Sequence, residues 1–358
     1  MPEYSYLYSL TRPIIMNIEK NQFGTTPEGK EVLKYTLTND HGMEVDIITY
    51  GGIITAIRVP DKRNEPGDVV LGFDTLEGYL GDHPYFGAIV GRVCNRIGRS
   101  RFELEGRIFN LTANEGANSL HGGARGFDRQ VWTALSHKSP DQVSLLLGYE
   151  SADGEEGFPG KLMVEVEYSL NNRNELGISC RAKTDKPTHV NLTNHSYFNL
   201  NNCDGTILDH ELMIDAKSYT ELDGESIPTG RILSVESTPY DFRLSTGIGE
   251  RIEKVEPGYD INYVLDMGSR ELTRVAAVHD PASGRTMEVL TTLPGIQLYT
   301  SNYVKEIRGK GGKVYEKHCA LCLETQFFPD SPNQPQFPST LLVTGEEYSA
   351  ITVYRFSR

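Results

Sequence analysis

No run of apolar residues in this chain approaches the ~20 that a membrane-spanning helix needs. The start, Met1-Pro2-Glu3-Tyr4, leads only to the short apolar run Pro13-Ile14-Ile15-Met16, which is too little for a secretory leader. A phosphate-cradling Gly loop, a dinucleotide fingerprint and a Ser nucleophile elbow are all missing, so the chemistries built on them lack their sequence support. Basic residues are outnumbered, 35 Lys and Arg against 49 Asp and Glu, for a net charge of −14. A nucleic-acid or anionic-membrane surface needs a basic stripe, so neither partner is expected. Cysteine is sparse: five residues, an odd number without framework spacing, as suits free thiols in a reducing, cytoplasmic setting. The His residues lack the close spacing of a metal site, and no metal is expected. Long amphipathic helices, fixed-period repeats and low-complexity linkers are absent too.

What is present is period-two alternation between turn residues. Leu33, Tyr35 and Leu37 alternate with Lys34, Thr36 and Thr38; Val45 and Ile47 alternate with Glu44 and Asp46. Ile53 to Val59 follows Gly51-Gly52. Phe102 and Leu104 precede a Glu105-Gly106 turn and a return strand to Leu111, a hairpin signal. Leu162, Val164, Val166, Tyr168 and Leu170 form the clearest strand face, and Leu176, Ile178, Cys180 and Ala182 answer it after an Asn-rich turn. Strand patterns recur over 142–149, 286–291, 295–301, 319–326 and 348–356. Short helical pieces are expected only near Thr75–Leu80 and Ser245–Ile252. Many strands, 35 Gly and 18 Pro point to an all-β antiparallel β-sandwich. With nothing dividing the chain, 1–358 is read as a single domain, although 358 residues taken alone would suggest two.

Six stretches carry polar residues where strands normally carry core. Over Pro187–Leu200, alternation sets Asn191, Thr193, His195 and Tyr197 on one face, with Val190, Leu192 and Asn194 on the other. A row of Asn, Thr, His and Tyr makes a poor core and a good wall for a polyhydroxylated ligand. The segment Tyr85–Gly98 sets Asn95 and Arg96 beside small residues, and Arg offers a fixed fork of donors to paired hydroxyls or a carboxylate. Asn118–Asp128 places His121 before Gly122-Gly123, on a loop with unusual backbone freedom. Asp260 follows Pro257-Gly258-Tyr259, and Gln297 and Tyr299 form a polar row over Gly295–Thr300. Glu324 stands in an otherwise apolar strand, so it is half-buried with a raised pKa or paired with a cation. Cys319 and Cys322 would point to opposite faces of that strand and chelate poorly. This inventory suits general acid/base work on a neutral polar substrate.

At these residues the sequence resembles the aldose 1-epimerases, or galactose mutarotases. The likeness rests on Gly91-Arg92-Val93-Cys94-Asn95-Arg96-Ile97, Leu120-His121-Gly122-Gly123 with Gly126-Phe127-Asp128 and Trp132, and Asn194-His195-Ser196-Tyr197-Phe198-Asn199-Leu200. Further on it rests on Gly258-Tyr259-Asp260, Gly295-Ile296-Gln297-Leu298-Tyr299, and Glu324-Thr325-Gln326 with Pro329-Asp330. The pieces keep family order and span most of the chain; Cys94 stands where the family usually has Ala. The resemblance implies a large mutarotase-like supersandwich with a sugar cleft on one sheet face. It implies interconversion of the α and β anomers of aldohexoses such as galactose and glucose, without a cofactor, feeding hexose metabolism. By that match Glu324 is the general base and His195 the general acid, while Asn95, Arg96, His121, Asp260 and Gln297 hold the sugar. Three other readings compete. A sugar-phosphate epimerase would need basic residues at the rim, where only Arg96 and Arg125 offer themselves. A carbohydrate-binding module has no need of both His195 and Glu324. A glycosidase would pair Asp260 with Glu324 across a bond.

Overall fold

Residues 15–266 and 271–358 are described by a computed structural model. Pro13 and Ile14 of the short apolar run lie outside the described residues. Met16 is buried, and its N–H donates to Asp40.

Alternation became sheet where it was strongest. Leu162–Asn171 buries every second residue and pairs with Glu175–Thr184 in the expected hairpin. Both belong to a nine-stranded antiparallel sheet. Its order runs Thr133–Lys138, Gln142–Ser151, Leu162–Asn171, Glu175–Thr184, Tyr348–Ser357, Thr286–Thr291, Thr273–His279, Glu211–Ile214 and Thr246–Gly247. A five-stranded meander precedes it: Asn17–Thr25, Glu31–Thr38, Glu44–Ile48, Ile54–Pro60 and Pro66–Asp68. The Arg101–Leu104 and Arg107–Asn110 strands close over Glu105 and Gly106, both at positive φ, as a tight hairpin requires. The protein is an all-β sandwich whose large apolar cluster draws on the inner faces of these sheets.

A second five-stranded sheet carries the chemistry. Its order is Pro228–Ser234, Ser218–Leu222, Asp260–Val264, Gly295–Tyr299 and Cys322–Gln326. Directly opposed residues share a face, and here the register is Asp260 to Tyr299, Asn262 to Gln297, Gln297 to Glu324 and Tyr299 to Cys322. One face therefore reads Asp260, Asn262, Gln297, Tyr299, Cys322, Glu324 and Gln326. The other reads Ile261, Tyr263, Ile296, Leu298 and Leu323, all within the main core. A one-residue slip would bury the carboxylates in that core and expose its apolar side.

Some expectations need correcting. Pro187–Leu200 is not one alternating strand. Thr188–His189 and Thr193–Asn194 form two-residue strands, Asn191 and Phe198 make isolated bridges, and every residue from Thr188 to Leu200 is buried. Asn191 bonds both ways with the Phe327 backbone, and Thr193 Oγ1 is buried without a partner. Asn194 turns to the Gly87 carbonyl and to Ser196. Of the expected polar row, only His195 and Tyr197 reach the cleft. The strand expected over 319–326 begins at Cys322, and Cys319 and Cys322 pack into one small apolar cluster as free thiols. The expected helical pieces are the single turn Leu76–Leu80 and the 3₁₀ turns Ile248–Glu250 and Ile252–Lys254. Asn17–Thr25 and Thr133–Lys138 escaped notice because they are mostly exposed sheet edges, where nothing enforces alternation.

Gly87 fixes the cleft to the scaffold. Its φ is +70°, and a Cβ there would sit 2.1 Å from the Ile54 carbonyl oxygen. Its N–H donates to the His195 carbonyl, and its own carbonyl accepts from Ile54 N–H and the Asn194 amide. Gly87→Ala combines a strained backbone with a collision. It should lower stability by roughly 2–4 kcal/mol in urea unfolding, and unchanged stability would deny Gly87 this role.

Candidate active site

A cleft of about 200 Å³ opens on the polar face of the second five-stranded sheet. Asn95, Arg96, His121, His195, Asp260 and Glu324 surround it, with Glu115, Tyr85, Tyr197, Tyr299 and Tyr303. Distant segments thus meet as the motif reading expects. Gln297 does not line the cleft; it lies behind Asp260 and donates to its Oδ1 at 2.6 Å.

The Asn95 and His121 segments are laced together. Asn95 N–H donates to His121 Nδ1 at 3.2 Å, and His121 N–H donates to the Asn95 carbonyl at 3.1 Å. Both residues take positive φ, 60° and 54°. Because Nδ1 accepts, the neutral His121 ring carries its proton on Nε2. Burial keeps that ring neutral by pulling its pKa well down, with His195 and Arg96 adding to the effect.

His195 stands between two tyrosines. Its ring is stacked with Tyr197 at 5.0 Å and with Tyr85 at 5.9 Å. Its Nε2 faces Glu324 Oε2 at 3.6 Å. Glu324 Oε2 and His195 Nδ1 are both buried with no hydrogen-bond partner. Burial pushes the Glu324 carboxyl up to about 8; Asp260 adds to the rise and Arg96 opposes it. Burial pulls His195 down to about 3. At neutral pH the two therefore hold one proton, on Glu324, 3.6 Å from His195 Nε2.

Arg96 supplies the counter-charge. Its Nε and Nη2 grip Glu115 at 2.7 and 2.8 Å, and Nη1 lies 3.8 Å from Asp260. Burial alone would lower its pKa, but these carboxylates raise it. Burial likewise raises Asp260, against the pull of Arg96 and Gln297. Gln326 Nε2 donates to Gln297 Oε1 and Asn262 Oδ1, so the amides behind Asp260 are held in one orientation.

His121, His195 and Glu324 place donor atoms within 4.8 Å of one another, a set that could hold a metal ion. Sequence spacing did not foretell this, since the three come from separate segments.

Comparison with known proteins is consistent across sequence and structure. The family model described as aldose 1-epimerase matches residues 33–355. The chain belongs to the aldose 1-epimerase family. It is 45% identical to the galactose mutarotase of Homo sapiens, over 95% of this chain and 99% of that protein. It is 34% identical to the aldose 1-epimerase of Escherichia coli, over 92% and 96%. A crystal structure of an aldose epimerase homologue from C. elegans superposes with a TM-score of 0.83 at 33% identity, covering 90% of this chain and 97% of that one. As a member of this family the protein is an isomerase, an epimerase acting on carbohydrates. No helix among the described residues is long and apolar enough to cross a membrane.

Tyr85, Tyr299 and Tyr303 lie beside or within quoted motifs and could have been added to the site from the sequence. Glu115 gave no signal, because Asn114-Glu115-Gly116 reads as an ordinary turn.

The raised Glu324 pKa is a statement about stability. Its ordinary value is 4.5 and its folded value about 8. The fold therefore holds the proton more tightly than the unfolded chain. That contribution is complete below 4.5 and lost as pH rises through 8. Glu324→Gln cannot ionise, so at pH 9 it should exceed the parent in stability by roughly 2 kcal/mol or more, with the gap closing by pH 4.5. Urea unfolding at both pH values reads this directly. A gap independent of pH would rule out a burial penalty.

Proposed function

We propose that this cleft interconverts the α and β anomers of a free aldohexose, galactose or glucose, by opening and closing the pyranose ring. The observation that carries the reading is the buried Glu324–His195 pair, Oε2 to Nε2 3.6 Å apart at the cleft wall, with Glu324 Oε2 lacking any hydrogen-bond partner. The anomeric hydroxyl and the ring oxygen share one carbon, C1, so two groups this close can reach both.

In the resting cleft the shared proton sits on Glu324, because burial disfavours charge on either member. Its transfer to His195 creates a carboxylate and an imidazolium. At this distance their opposite charges stabilise each other, and the faces of Tyr85 and Tyr197 favour the cation between them. Glu324 then takes the proton of O1–H while His195 gives its proton to the ring oxygen. The C1–O5 bond breaks and C1=O1 forms. The open aldehyde rotates about C1–C2 and closes on its other face, with the two groups reversing roles. The pair ends with the one proton it began with, and no cofactor enters the balance.

The remaining groups hold hydroxyls. His121 offers Nε2–H, Arg96 offers Nη1, and Asn95 and Asp260 line the same wall. Gln297 acts through Asp260 rather than on the sugar. The galactose mutarotase relatives favour galactose as a substrate. The five buried free thiols fit a cytoplasmic setting, and the large shared core supports reading 1–358 as one domain.

Polarimetry on freshly dissolved α-galactose or α-glucose tests this. Glu324→Gln and His195→Asn should each lower kcat by about 10²–10⁴-fold while circular dichroism remains native. Full activity in either variant would remove that residue from its role. The pH profile follows from the shared proton. After subtraction of the spontaneous reaction, kcat/KM should fall above about pH 8 with unit slope, as the pair loses its only proton. Activity that keeps rising to pH 10 would contradict it.

A further inference from the structure

Glu115 is the one carboxylate lining the cleft that this chemistry does not use. Its two oxygens meet the Arg96 fork side-on, Oε2 at 2.7 Å from Nε and Oε1 at 2.8 Å from Nη2. Paired bonds of this kind fix a guanidinium in both plane and rotation. They also occupy the edge with which an arginine takes a carboxylate or a phosphate. The remaining nitrogen, Nη1, faces Asp260.

The grip rests on backbone, not on a loose side chain. Ser119 and Leu120 pair with Ile97 and Arg96 in a short antiparallel ladder. The Asn114 amide bonds the Leu120 and Gly123 carbonyls and accepts from Leu120 N–H. Asn118 Oδ1 accepts from Arg99 N–H. The Glu115 loop is thereby fastened to the Arg96 segment. Arg96 itself is only 13% exposed, so a free guanidinium there would be a strong anion site. Three carboxyl groups, Glu115, Asp260 and Glu324, line the cleft with this one arginine.

We propose that Glu115 determines specificity: by cancelling and holding Arg96 it admits neutral aldoses and turns away sugars bearing an anionic group, hexuronates and hexose phosphates alike. This rests on the anomerase reading of the cleft. It also addresses the competing sugar-phosphate reading, since the arginine such a substrate would need is already committed.

The test is calorimetric binding of galactose, galacturonate and glucose 6-phosphate to the parent protein and to Glu115→Gln, at low and high salt. The parent should bind galactose and discriminate against both anions by about tenfold or more. In Glu115→Gln the anions should tighten by about tenfold while galactose holds or weakens. The gain should fade in about 0.5 M salt. A merely structural role would weaken all three ligands together, so opposite movement is the deciding readout. The inference falls if the parent binds galacturonate as tightly as galactose, or if the variant loses affinity for every sugar alike. Polarimetry of galactose runs alongside. Discrimination in calorimetry without turnover would sink the anomerase reading and leave the role of Glu115 standing. Turnover without discrimination would do the reverse.

Discussion

The structure depends on holding a carboxyl group and an imidazole side by side at the wall of a cleft. Glu324 and His195 are each almost wholly buried; Glu324 Oε2 has no hydrogen-bond partner and lies 3.6 Å from His195 Nε2. Such groups are costly to bury, and the cost is what makes them useful. A carboxyl at its ordinary pKa would be ionised at neutral pH and would hold no proton to pass on. Raised by burial, Glu324 keeps its proton at neutral pH, 3.6 Å from a neutral imidazole nitrogen.

Sheet geometry makes that arrangement possible. The register running Asp260 to Tyr299, and Asn262 through Gln297 to Glu324, puts the polar side chains on one face and leaves the other to aliphatic packing. The same alternation that builds the core presents Glu324, Asp260 and the amides behind it, at the spacing of neighbouring strands. Behind them, the amides of Gln326, Asn262 and Gln297 orient Asp260, and the bidentate Glu115 contact orients Arg96. The irregular pieces come from elsewhere: the Asn95 and His121 turns at positive φ, and the wholly buried run through His195.

How much of this the sequence showed follows from the same division. Strands with one buried face were legible, because Leu162 to Leu170 must alternate to work. Exposed edges such as Asn17–Thr25 were not, since solvent places no demand on them. The site motifs were legible by their composition: Glu324 among apolar residues and His121 before two glycines are out of place in ordinary strands and loops. Their orientation was not. Asn191 and Thr193 looked like cleft residues because a continuous strand was assumed, yet Asn191 bonds the Phe327 backbone. Gln297 looked like a contact and lies one layer back, because strand periodicity gives the face and not the depth. Glu115 was invisible, since its meaning comes from a partner in another segment.

The tyrosine stack around His195 has one further consequence. The ring stacks with Tyr197 and Tyr85, its Nδ1 is buried without a partner, and Nε2 is the nitrogen that faces Glu324. On the roles proposed here, a single doorway serves departure and return. The catalyst then carries no memory of which anomer arrived, and each half-turn leaves it ready for the opposite one. Such a site imposes no direction. The resting ratio of the two forms belongs to the sugar, and the protein sets only how quickly it is reached.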